Sequence, residues 1–313
     1  MQQTAKIIKH SGMSDASAAE PLLNKRFIVA GDEFNVFKVY DAMNAGPPQI
    51  EIDFNKLLGI KNPKHEADIE GSARLNNLVY WIGSHARNGA GELKWKRHQF
   101  FATEIIDDGE NVEVRQYGTA YTGLIVELLR YHWFQKLTLE RLDPQPDPKL
   151  AAKCLGSINI EGLAAFEDGL LLGFRNPIPD NQALLIPFIN PHEVIRSGAH
   201  PQFEKPIRLD LGGRGIRSID YSETRNQYII TSGSFDTVSD FEFFSWSGPG
   251  HEPTKLNIET GLNPEAIVIF DDLAEFLVIS DDGGEQAPGE NSPFKDIPED
   301  EQEFRTEWCQ LPL

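Results

Sequence analysis

Four short stretches carry residue types able to do chemistry, and they share one pattern. In each, a charged residue precedes a small one and then an apolar run: Glu70-Gly71, Glu161-Gly162, Arg217-Ser218 and Glu265-Ala266. Each run turns and returns through a second apolar run that ends on polar residues. Those ends are Ser84, His85 and Arg87; Arg175 and Asn176; Ser232 and Ser234; Asp281 and Asp282. In an antiparallel hairpin the start of the first strand lies beside the end of the second. The spacing therefore predicts Glu70 near His85 and Arg87, Glu161 near Arg175 and Asn176, Arg217 near Ser232 and Ser234, and Glu265 near Asp281. A fifth, eroded copy begins at Ser11-Gly12-Met13 and adds Asp32 and Glu33 at the end of its second strand.

Carboxylates and arginines gathered at one mouth have three uses: to hold a metal ion, to hold an anionic ligand, or to neutralise one another and tie the repeats together. Hard oxygen donors suit calcium or magnesium, and Glu70, Glu161 and Glu265 are the expected metal ligands, with Asp32 and Asp281 as further donors. Arg87, Arg175 and Arg217 would face an anion. Zinc is not expected, since no His/Cys set has the spacing for it. Asp281-Asp282-Gly283-Gly284-Glu285 lacks the residue order of an EF-hand. There is no Gly-x-Ser-x-Gly elbow. Ser84 and His85 are strand neighbours whose side chains point to opposite faces, so His85 reads as a hydrogen-bonded structural residue and no catalytic residue is assigned.

The elements that must position these residues are hairpins. Asp168-Gly169 between apolar runs is a strong hairpin signal. The anchors Gly12, Gly71, Gly162, Ser218 and Ala266 stand 59, 91, 56 and 48 residues apart. Propeller blades repeat at roughly 40–50 residues with four strands each. If the gap of 91 holds two blades, the expected fold is an all-β six-bladed β-propeller, with seven blades as the alternative. Ser14 to Glu20 reads as a loose loop. Residues 119–136 break the pattern: Leu124, Ile125, Leu128, Leu129 and Trp133 recur at helical spacing, so one short helical insertion is expected there. Pro191 to Ile195 reads as one more helical turn, and Asp281 to Glu303 as an acidic solvated loop. Phe304 to Leu311 reads as a closing strand with Thr4 to Lys9 beside it, which makes residues 1–313 a single domain whose ring is closed by both termini.

Bulk composition narrows the partners. The chain of 313 residues carries a formal net charge of −19. A field of that sign disfavours nucleic acid and anionic membrane. Two cysteines, Cys154 and Cys309, form no disulfide framework. The first ten residues lack the apolar core of a signal peptide, and no stretch approaches the ~20 apolar residues of a membrane helix. The expected location is the cytoplasm.

Three motifs carry a resemblance. They are Phe-Ile-Val-Ala-Gly-Asp-Glu-Phe-Asn from Phe27, Asp-Ile-Glu-Gly-Ser-Ala from Asp68 with Ile-Gly-Ser-His-Ala-Arg-Asn from Ile82, and Asn-Ile-Glu-Gly-Leu-Ala from Asn159 with Gly-Phe-Arg-Asn-Pro from Gly173. Together they resemble a bacterial family, domain-of-unknown-function family 3616, over nearly the whole chain. The Glu-Gly repeats are more distantly similar to phytase-like esterases and to calcium-dependent lactonases of the six-bladed class. In those lactonases acidic and amide side chains from different blades hold the channel metal. The resemblance implies a propeller and brings no established activity with it. The expected function is a binding module for a small anionic ligand or a protein partner at a polar channel mouth. The alternative is a calcium-assisted hydrolase of a phosphoester, ester or lactone at the same mouth.

Overall fold

The computed structural model describes residues 7–31, 33–62, 65–236 and 240–311. Strand β1 (Ile7–Ser11) belongs to the last sheet of the chain, and the strands after it build the others in order. The first blade is β2 (Ala16–Leu22), β3 (Arg26–Gly31), β4 (Val36–Asp41) and β5 (Ile50–Asp53). The second is β6 (Ile69–Leu75), β7 (Leu78–Gly83), β8 (Phe100–Asp107) and β9 (Val112–Tyr121). Helices α1 (Leu124–Leu128) and α2 (His132–Gln135) follow. The third blade is β10 (Asn159–Phe166), β11 (Gly169–Asn176), β12 (Ala183–Phe188) and β13 (Ile207–Leu209), with helix α3 (Pro191–Ser197) between its last two strands. The fourth is β14 (Gly215–Ser222), β15 (Gln227–Gly233), β16 (Glu242–Trp246) and β17 (Thr254–Lys255). The fifth is β18 (Pro264–Ile269), β19 (Glu275–Ser280), β20 (Glu303–Gln310) and, outermost, β1.

The described residues therefore form an all-β propeller of five blades, not the expected six or seven. Two features of the sequence caused the difference. The gap of 91 residues holds one blade and an insertion. Leu124, Ile125, Leu128 and Phe134 of that insertion are fully buried in one cluster with Phe100 of the second blade and Phe174 and Phe188 of the third. The insertion thus packs its apolar side chains against the second and third blades and adds no blade of its own. The helical segment begins later than expected, since β9 runs to Tyr121 and the helices start at Leu124. The second feature is Ala16-Ser17-Ala18-Ala19-Glu20, read as a loop and found as the innermost strand of the first blade. Alanine and serine have low strand propensity, so the stretch carries little strand signal.

The five innermost strands β2, β6, β10, β14 and β18 meet their neighbours around the axis. Their tight approach is visible at Gly71, where an added Cβ would stand 3.1 Å from the backbone nitrogen of Leu163 in the next blade. At the ring's seam β1 pairs antiparallel with β20, Ile7 opposite Glu307 through Ser11 opposite Glu303. Buried His10 locks this seam: its Nε2 is 3.0 Å from Thr306 Oγ1, and its ring stacks on Phe304.

Candidate functional site

Every blade carries the same irregularity. The pairing of the innermost strand with its neighbour slips between Ala16 and Ala18, Ile69 and Gly71, Ile160 and Gly162, Ile216 and Ser218, and Pro264 and Ala266. The residue skipped by each slip is Ser17, Glu70, Glu161, Arg217 or Glu265. A β-bulge re-aims the extra side chain and bends the strand. Here it places the four charged bulge residues against one cavity of about 760 Å³ at one mouth of the channel.

Glu70, Glu161 and Glu265 each bring a carboxylate oxygen within 4.8 Å of the others. Arg217 threads between two of them, with Nη1 3.1 Å from Glu161 Oε2 and Nη2 paired to Glu265. Its guanidinium lies 5.8 Å over the ring of Phe241. Glu161 Oε1 also accepts from Asn159 Nδ2 at 2.7 Å and from Arg175 Nη1 at 3.1 Å. Arg175 is held in turn by the carbonyls of Ser234 and Asp236. Among the described residues the buried Asn159 Oδ1 has no partner.

The electrostatics follow from burial. Burial, and then the fields of Glu161, Asp68 and Glu265, push the Glu70 carboxyl well above the ordinary range. Burial raises Glu265 to about 7 although Arg217 opposes it. Burial works against the Arg217 guanidinium, and Glu161 and Glu265 more than offset it, so its pKa rises. The cavity wall as a whole has nine carboxylates against five lysines and arginines. An excess of negative charge in a walled cleft concentrates cations.

Of the residues expected from sequence, Glu33, Glu70, Glu161, Arg175, Arg217, Glu265 and Asp281 line this cavity. Asp32 lies outside the described residues. Three others are elsewhere. Arg87 is buried in a fork with Glu140, Nε–Oε2 2.7 Å and Nη2–Oε1 2.8 Å, and gives its remaining donors to backbone carbonyls. His85 turns away from the mouth, bonds Gly83 O through Nδ1 at 2.8 Å and lies against His98. Asn176 is fully buried on Ala152 O. His85 and Arg87 follow the end of β7, where the chain has already left the axis, and Asn176 is the last residue of β11, opposite Asn159.

Sequence reasoning missed Asp68, Asn159 and Asn263, which line the same cavity. Each stands two residues before a bulge residue, a position filled in the first blade by Asp15. That shared offset was the available signal. Asp68 joins Ser84 Oγ in a short hydrogen bond and Arg97 Nη1 at 3.0 Å. Burial raises its carboxyl to about 6 despite that arginine.

No family model matches the chain and no curated protein matches it, so the comparisons do not confirm the resemblance to domain-of-unknown-function family 3616. The chain is similar to the glutaminyl cyclase of Myxococcus xanthus at 8% identity and TM-score 0.46, covering 98% of this chain and 96% of that one. It is also similar to the PQQ-bound aldose sugar dehydrogenase of Streptomyces coelicolor at 13% identity and TM-score 0.44, covering 97% and 99%. Among the described residues no helix is long and apolar enough to cross a membrane.

Proposed function

We propose that the protein is a small-ligand-binding propeller whose acidic channel mouth is built around a hard divalent cation. Glu70, Glu161 and Glu265 would hold that ion, with Asn159 Oδ1 as a neutral oxygen donor. The observation that carries this reading is the convergence of three carboxylates from three blades within 4.8 Å, only two of which Arg217 covers. Calcium accepts six to eight oxygens and tolerates irregular geometry, which suits ligands gathered from separate strands. The charge of the wall favours a cation over the anionic ligand expected from Arg87 and Arg175. Arg87 is spent on Glu140 and Arg175 on Glu161.

The cavity above the three glutamates has the size of a small-molecule site. That volume favours one second reading, calcium-assisted hydrolysis of a phosphoester, ester or lactone, with the ion polarising the substrate.

Chelator-treated protein titrated with calcium chloride tests the site. At about 100 times its dissociation constant a bound ion adds roughly 2.7 kcal/mol of stability, read as a rise in Tm of several degrees. In Glu70→Gln the rise should vanish. An equal rise in that variant, or none in the parent protein, removes the ion from this site. Turnover of phosphoesters or lactones by the calcium-loaded parent decides between binding module and hydrolase.

A further inference from the structure

The channel narrows to a waist between its two mouths. Its waist leaves about 10 Å³ between side chains such as Leu163, Ile219 and Ile267. Beyond the waist it opens again into a separate cavity of about 640 Å³ at the opposite mouth. The floor of that cavity breaks a pattern. Two residues past each bulge-following small residue, the innermost strands carry Ala73, Ala164 and Val268 in three blades, all buried and apolar. The first and fourth blades carry Glu20 and Asp220 there, and both line the far cavity.

Glu20 is paired loosely with one cation, and among the described residues Asp220 has no cation paired to it. Glu20 is only 5% exposed. Its nearest cation, Arg74 Nε, stands 3.6 Å away, past hydrogen-bond length. The neighbouring Ser72 hydroxyl is given to Ala19 O at 3.1 Å. Among the described residues Asp220 receives only backbone N–H groups, from Tyr221 at 2.8 Å and Ile269 at 3.3 Å. Burial raises Glu20 to about 6, and burial together with the Glu20 field raises Asp220 to about 8. The wall above is aromatic: Phe166, Tyr221 and Tyr228 line it, the two tyrosine rings 4.8 Å apart. Both tyrosine hydroxyls are already donated, to Asn226 and to Ala165 O. What the wall offers a ligand is therefore ring surface, which binds cations and apolar groups.

We propose that the far mouth is a second binding site, for a small molecule bearing a primary ammonium group on an apolar body, with Glu20 and Asp220 as its anionic floor and the three rings as its wall. The ammonium supplies the positive charge that Arg74 supplies only in part. An alkyl or aryl body occupies the space between Phe166 and the tyrosines.

The probe is n-pentylamine, titrated calorimetrically at about pH 9, where an alkylamine still carries its proton and both carboxylates have lost theirs. Binding should weaken at least tenfold in Glu20→Gln and in Asp220→Asn and persist in Glu70→Gln at the other mouth. Equal affinity in the first two variants, or loss only in the third, overturns the proposal. The parent protein gives an arm that does not depend on variant folding. 1-Pentanol, of the same length and uncharged, should bind far more weakly, and equal binding of the two, or no binding of the amine, sinks the site.

Discussion

Arg217 divides the two electrostatic accounts of the first mouth. If the ring of charge is self-sufficient, this guanidinium is its keystone. If the mouth is built for a cation, Arg217 holds two glutamates apart until an ion joins them. Removing one partner of a buried ion pair costs roughly 3–5 kcal/mol, because a charge is left uncompensated. Arg217→Met should therefore unfold at clearly lower urea in chelator. It also leaves Glu161 and Glu265 free to face an ion together with Glu70, so calcium chloride should stabilise the variant more than the parent. A variant that calcium helps no more than it helps the parent argues for the self-sufficient ring. The charged members of this group were legible in sequence because each leads an apolar run. Asn159 and Asp68 were not, since a single amide or acid two residues upstream looks like an ordinary loop residue until the bulge shows which side chains share a face.

At the scale of the element, the bulge is what turns a structural strand into a site. It needs room on the axis side, and Gly162 provides it. A Cβ there would stand 2.7 Å from Ile216 Cγ2, 2.9 Å from Ile219 Cγ2 and 3.2 Å from Gly173 Cα. Both isoleucines are buried and branched, so neither can swing clear. Overpacking of this kind typically costs about 1–3 kcal/mol. Gly162→Ala should lower the urea midpoint by that amount, while Gly261→Ala, with nothing within 4 Å, should leave it nearly unchanged. Equal midpoints for the two variants would mean that the inner strands can part without cost. Low strand propensity explains what the sequence hid. An innermost strand made of alanines and serine, such as Ala16–Leu22, gives no hydrophobic periodicity to read, whereas Ile216–Tyr221 and Ile267–Phe270 announce themselves. The count of blades failed for a related reason. A spacing of 91 residues is silent about whether its surplus forms strands or packs against the neighbouring blades, and only the burial of Leu124, Ile125, Leu128 and Phe134 decides it.

Across the whole molecule, the buried ionisable groups pull stability in opposite directions with pH. Burial lowers His10 and His85 to about 4 and His98 to about 2. A histidine held neutral contributes stability that is complete above about 6.5 and is lost as pH falls toward those values. The raised carboxylates act the other way. Glu33 and Glu265 at about 7 and Asp220 at about 8 bind protons more tightly in the folded chain than in the unfolded one. Their contribution is complete below the ordinary carboxylate range and is lost as pH rises through 7 and 8. By about pH 7.5 these three histidines are nearly all neutral in both states, while between about 6.5 and 8.5 the raised carboxylates lose their protons in the folded chain, so in chelator the urea midpoint should fall across that interval. A divalent ion at the first mouth favours ionised Glu265 and Glu70, and saturating calcium should flatten the fall without abolishing it, because Asp220 lies at the other end of the channel. Glu265→Gln should reproduce part of that flattening with no ion present. A midpoint that stays level or rises from pH 6.5 to 8.5 in chelator would show that these carboxylates are already ionised without cost in the folded chain. The charge-deficient mouths inferred from their burial would then lose their electrostatic basis.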